Sequence, residues 1–322
     1  MFLTLHDLTI QLQSDNAVIN RQWRQLFMGW PLTDSSAAAP DMVLQLSLAD
    51  ALPALPDSPP YFEDNLGVLA VYQGAGEMAR LHYLDGALVD VPLLEPEPGR
   101  FLYAPTARGW LTQRALDYGR FEDITFTSLA PLLRRRGYFL VHAFAAAKNG
   151  RALLIVGPSG SGKTTTGLSL LLAGWKLLSN DVLLLKEQPD GVYALASPGA
   201  IGIRPQTLDL LPKLRDMVGD LVIQGQTDVT QALLEIVDWS AAAKVTAVAF
   251  PHIEQRSQSV LSPQNRAVCL AQLMAESVDQ WDAALLTAHM TILQKLSQQA
   301  APHILLLGRD VERLPTLLKT AI

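Results

Sequence analysis

The chain has 322 residues, 49% of them hydrophobic, enough for two domains that each bury a core. A net charge of −6 argues against the basic surface that a nucleic-acid partner needs, and a single cysteine, Cys269, excludes an intramolecular disulfide. No basic-then-apolar leader opens Met1–Asp7, and the apolar stretch Leu168–Leu178 is short and interrupted by Gly174 and Lys176, so a cytoplasmic protein with no membrane partner is expected.

Residues 1–118 read as a strand-rich domain. Leu8–Gln13 and Met42–Leu48 alternate like half-buried strands, with Asp15 expected to cap a helix through Met28. Gly67–Tyr72, Met78–Tyr83 and Ala87–Val91 predict a meander with Asp85-Gly86 as a tight turn. Proline content marks Ala51–Pro60 and Pro92–Gly99 as loops. Nothing in this region names a chemistry.

The second domain is expected over residues 119–322. A helix is predicted from Asp123 to Arg136, ended by Gly137, with Arg134-Arg135-Arg136 facing solvent and offsetting the helix dipole. Phe139–Ala147, Asn149-Gly150 and Ala152–Val156 then read as strand, tight turn and strand. The second arm runs directly into Gly157-Pro158-Ser159-Gly160-Ser161-Gly162-Lys163-Thr164, a complete Walker A phosphate loop, followed by a leucine-rich helix, Thr165–Ala173, stopped at Gly174. Glycines let the backbone N–H groups of Gly157, Ser159, Gly160, Ser161 and Gly162 wrap phosphates. Lys163 is placed to reach the outer phosphates, Thr164 to hold Mg²⁺, and Thr165 to complete the helix N-terminus. ATP and Mg²⁺ are therefore the expected ligands. Further on, Val245–Phe250 predicts a strand, Ser262-Pro263 a helix start, Asp282–Gln298 a helix and Ile304–Leu307 a strand.

Phosphoryl transfer also needs a carboxylate. Asp181, in Leu177-Leu178-Ser179-Asn180-Asp181, is the first candidate, and Asp310 after Ile304–Leu307 is the rival. Hairpin, loop, helix and acid together resemble the catalytic domain of the HPr kinase/phosphorylase family and its shorter relatives. His142 lies fifteen residues before Gly157, and Asp181 lies eighteen after Lys163, both at the family spacing. The resemblance spans about residues 125–205. It implies a phosphoenolpyruvate-carboxykinase-like phosphate-loop domain, α/β with a mixed sheet, acting as a kinase on a serine of a protein or precursor peptide.

On that resemblance Asp181 is the general base or metal-side acid, His142 its charge partner, Lys163 the phosphate clamp and Thr164 the metal ligand. Three departures accompany it. Asn180 replaces the first acid of the family's pair, which weakens either metal affinity or base function. Gly202-Ile203-Arg204-Pro205 keeps only the arginine of the family's Glu-Ile-Arg-Gly signature, and Arg204 is the candidate to neutralise transferring charge. The basic segment of the reverse, phosphorolytic reaction has no counterpart beyond His252 and Arg256. A one-way serine kinase is the reading that results, with a homo-oligomer favoured by the resemblance. The alternative is a catalytically weak module that uses ATP binding to assemble partners.

Overall fold

The described strands form two large sheets and a two-stranded pair, Gly202–Ile203 with Thr227–Asp228. The computed structural model describes residues 1–36, 39–64, 67–93, 104–219, 227–234, 237–277 and 281–322. The chain is mixed α/β. Met1–Arg136 with Asp279–Leu286 forms one unit, and Gly137–Val278 with Thr287–Ile322 a second.

The first unit contains β1 (Phe2–Leu5), β2 (Leu8–Gln13), α1 (Ala17–Leu26), β3 (Leu32–Thr33), β4 (Met42–Leu48), β5 (Phe62–Glu63), β6 (Leu69–Gln73), β7 (Met78–Tyr83), β8 (Ala87–Pro92), β9 (Thr106–Leu111), α2 (Gln113–Asp117) and α3 (Phe121–Arg135). The sheet order is β3-β1-β2-β4-β9-β8-β7-β6-β5. β2, β4 and β9 run parallel, while β6, β7 and β8 form the expected meander, with Gly86 at φ +107° before β8. The cap of α1 is Asn16 rather than Asp15, because its side-chain oxygen accepts from the N–H groups of both Val18 and Ile19. Residues 51–60 carry no regular structure, as expected, whereas 94–99 of the second predicted loop lie outside the described residues.

The arginine triplet departs from expectation. Arg134 is 2% exposed, and Arg135 meets Asp282 at 2.7 Å with both side chains buried. Arg136 reaches Asp41 at 3.1 Å. These cations serve acids brought from 147 and 95 residues away, which the local pattern cannot reveal.

The second unit contains β10 (Tyr138–Lys148), β11 (Arg151–Val156), α4 (Lys163–Leu172), β12 (Lys176–Ser179), β13 (Val182–Gln188), β14 (Gly191–Leu195), β15 (Gly202–Ile203), α5 (Pro205–Leu210), α6 (Pro212–Val218), β16 (Thr227–Asp228), α7 (Thr230–Leu234), β17 (Ala242–Ile253), β18 (Val260–Pro263), α8 (Arg266–Ala275), α9 (Ala283–Gln299, beginning in the first unit), β19 (Ala301–Leu307) and α10 (Leu314–Lys319). β10 and β11 are the expected antiparallel hairpin, with Asn149 at φ +53° and Gly150 at +75°. The other edge of β11 pairs in parallel with β17, so the strand entering the phosphate loop has one neighbour of each sense. The pairings β10–β11–β17–β14–β13 close into a ring. Apolar residues of α8 and α9 cover one face, and those of α4 and α10 the other.

Ser262-Pro263 ends strand β18 instead of opening a helix. Asn265 caps α8, accepting from the Ala267 N–H at 2.7 Å. The ladder with β19 extends through Pro263, whose partner is His303, and postpones the helix.

α4 lies on β10 at Gly167, where an added Cβ would stand 2.4 Å from Phe144 ring atoms. A Gly→Ala change inside a helix ordinarily gains about 1 kcal/mol. Here Gly167→Ala is expected to destabilise by about 1–3 kcal/mol through overpacking. The check is the urea midpoint at unchanged slope, and a stabilised variant would contradict this packing.

Candidate functional site

β10 changes partners on both edges at the same place. On one edge Tyr138–His142 pairs with β13 and Ala145–Ala147 with β12, so the Asn180-Asp181 turn faces the break, where the Ala143 N–H donates to the Asp181 carbonyl at 2.8 Å. On the other edge Ala143 pairs with Val156, the last residue before the phosphate loop. Beyond it, the His142 N–H donates to the Glu276 carbonyl at 2.7 Å, and Val141 bridges Ser277. Loop, histidine and acid are thus delivered to neighbouring rungs.

The His142 ring lies between two carboxylates. Nε2 is 2.8 Å from Asp181 Oδ1, and Nδ1 is 2.8 Å from Glu276 Oε2. Both nitrogens can donate only in the imidazolium form. Burial opposes that charge, yet the bonds to Asp181 and Glu276 outweigh it and raise the His142 pKa to about 9. Burial also pushes Asp181 upward, but the hydrogen bond to His142 and the nearby charges of His142 and Lys163 reverse this, leaving its carboxyl below the ordinary value.

The structure brings the sequence-expected His142 and Asp181 together, and beside them Glu276, which the sequence reading did not name and which caps the C-terminus of α8. One signal was available. An anion at a helix C-terminus opposes the dipole, so an acid there asks for a partner.

The phosphate loop has the backbone its glycines permit. Gly160 and Gly162 adopt φ +82° and +102°, and Gly162 begins α4 without a side-chain cap. The first N–H groups of the helix therefore lack the partner a capping side chain would supply, which is the arrangement an anion completes. Gly157 is buried and a Cβ there would stand 3.1 Å from Ser161 Oγ, whereas Ser159 and Gly160 are exposed at the tip. Ser161 Oγ is itself buried without a hydrogen-bond partner among the described residues. Lys163, 6% exposed, donates to the carbonyls of Gly157 at 2.6 Å and Pro158 at 3.2 Å. Burial lowers its pKa from the ordinary value, partly offset by Asp181 and Glu276.

The remaining positions divide. Thr164 is half-buried in the first turn of α4, and Thr165 Oγ1 lies 3.2 Å from Thr207 Oγ1 on α5, a contact the sequence did not suggest. Arg204 is exposed immediately before α5. Asn180 is 8% exposed. Its Nδ2 donates to the Ala200 carbonyl at 2.7 Å, while its Oδ1 is buried without a partner among the described residues. Asp310 accepts from both the N–H and the hydroxyl of Ser259 at 2.7 Å, clamping that loop. His252 is exposed, and Arg256 pairs with Glu254 at 3.2 Å.

Among the described residues no group of three or more His, Cys, Asp or Glu is arranged to hold a metal. Mg²⁺ beside phosphates commonly takes only one or two protein oxygens, and Thr164 and Asp181 are the donors expected from the sequence. No described helix is long and apolar enough to cross a membrane.

The folded pKa of His142 exceeds its ordinary 6.5, so its contribution to stability is fully present below about pH 6.5 and lost as pH rises through about 9. Asp181 has the opposite sign, its contribution being present above its ordinary 3.8 and lost as pH falls through its lowered folded value. NMR titration of the His142 ring is expected to give a midpoint near 9 that drops toward 6.5 in Glu276→Gln. A native midpoint at 6.5 would contradict the two-carboxylate arrangement.

No protein-family model matches the chain, and no curated protein matches it. Among solved structures it is similar to one described as the HPr(Ser) kinase/phosphatase from Coxiella burnetii, at 14% identity and a TM-score of 0.29. That match covers 56% of this chain and 92% of the other, and at this level of similarity it carries no argument about fold or function.

Proposed function

We propose that this chain is an ATP-dependent kinase that transfers a phosphoryl group to a serine hydroxyl of a protein or peptide in the forward direction only. One observation carries the reading: the phosphate loop leaves β11 on the rung beside His142, whose ring is bonded to Asp181. Phosphate binding alone would explain the loop. A half-exposed carboxylate fixed at its edge by a partly buried imidazolium supplies the second half of a transfer site.

The loop N–H groups and the N-terminus of α4 bind the phosphates of ATP, and Lys163 exchanges its two carbonyl partners for phosphate oxygens. Thr164 is the residue that would hold Mg²⁺, which when bound would neutralise phosphate charge. Asp181 Oδ1 is engaged by His142, leaving Oδ2 to accept the hydrogen of the acceptor hydroxyl. As the serine oxygen bonds to the terminal phosphorus, the bridging P–O bond to ADP breaks and the hydroxyl proton passes to Asp181. Glu276 keeps the imidazolium charged and its ring oriented, and Arg204 meets negative charge at the rim. The neutral Asn180 serves as a structural tie to Ala200.

The test supplies labelled ATP and Mg²⁺ with an extract of the protein's own source and identifies the labelled species. Lys163→Ala is expected to lose nucleotide binding and transfer together. Asp181→Asn is expected to keep nucleotide affinity within about threefold while transfer falls by about 10²–10⁴. Tight nucleotide binding by the native chain with no transfer to any acceptor would sink the kinase reading and leave nucleotide-gated assembly.

A further inference from the structure

A cavity in the first unit is lined by none of the residues of the proposed kinase chemistry. It measures about 530 Å³ and lies over the carboxyl-terminal halves of β2, β4 and β9, the three parallel strands of that sheet. Its size is within the ~300–1,000 Å³ of small-ligand sites.

Register explains its lining. Gln13 pairs with Gln45 and Gln45 with Arg108, so the three side chains form one row on one face of the sheet. Ser47 pairs with Trp110 in the row after it. The alternate residues Leu12, Leu44, Leu46 and Ala107 are buried on the other face. Directly beyond Arg108 on β8 stands Asp90, but Arg80 already holds its carboxylate through two bonds of 2.7 and 2.8 Å. Arg108 is consequently left without a hydrogen-bond or ion-pair partner among the described residues. Asp15, past the end of β2, lines the same cavity and is likewise unpaired. The two opposite charges therefore share one cavity without closing on each other.

We infer that this cavity binds a dipolar organic ligand: its carboxylate on Arg108, its ammonium on Asp15, and its apolar part on the Trp110 indole. A guanidinium beside two side-chain amides, Gln13 and Gln45, suits a carboxylate through paired N–H donors. The indole offers a flat apolar wall with a polar edge. A free α-amino acid or a short unblocked peptide carries this combination, and neither a phosphate nor a neutral sugar does.

Calorimetric titration of the full chain with L-leucine, Leu-Leu, N-acetyl-L-leucine and L-leucinamide tests the inference. Saturable binding of L-leucine or Leu-Leu at or below about 1 mM is expected, with the better of the two showing whether a free amino acid or a peptide is the ligand. Both blocked compounds should bind at least tenfold more weakly. Arg108→Gln should abolish the preference over leucinamide, and Asp15→Asn the preference over N-acetyl-leucine, each with an unchanged melting curve. No saturable binding of either unblocked probe overturns the inference, as does native-like binding by both variants. ATP binding is measured separately, so failure here leaves the kinase reading intact, and the reverse also holds.

Discussion

A strand has two edges and no more, and β10 divides each of its own between two partners. Both handovers fall at His142–Ala143. Where one ladder stops and another starts, the partner chains must turn away, and their turns gather around the break. The Asn180-Asp181 turn, the departure into the phosphate loop and the end of α8 all meet β10 there. The cluster is located by backbone pairing first, and the side chains use what that pairing supplies.

The second constraint is charge. Lys163, His142, Asp181 and Glu276 supply two positive and two negative charges in partly dry surroundings, where each unpaired ion would be costly. Their pKa directions show mutual support: the histidine is held charged, the aspartate is held ionised, and the lysine is eased back toward its charged form by both acids. The arrangement is also interdependent. Removing one member leaves its neighbours buried with an imbalance, so substitutions within the group should not act additively.

How far the sequence reveals this differs by element, for physical reasons. The Asn149-Gly150 hairpin was legible because positive φ at two successive residues is a local demand that few residue types meet. The phosphate loop was legible for the same reason, and the spacing of His142 and Asp181 followed from the short turns on either side. Glu276 was hidden because its partner is 134 residues away. The arginine triplet was misread because its local setting satisfies the dipole argument equally well, while the acids that bury it come from distant segments. At Ser262-Pro263 a sound capping pattern lost to a strand ladder, since a neighbouring strand can hold a residue that its own sequence would release.

The lysine contacts within the phosphate loop carry a different consequence. With its ammonium on the carbonyls of Gly157 and Pro158, the loop satisfies itself. An anion entering it must replace those two bonds, so binding is an exchange and only the surplus over the internal bonds appears as affinity. A small or weakly charged anion offers one or two contacts in return and gains little. A polyphosphate that engaged the lysine, the loop amides and the helix end together would gain more. If the proposed nucleotide binds here, the self-contact would act as a threshold that favours polyphosphates over small anions.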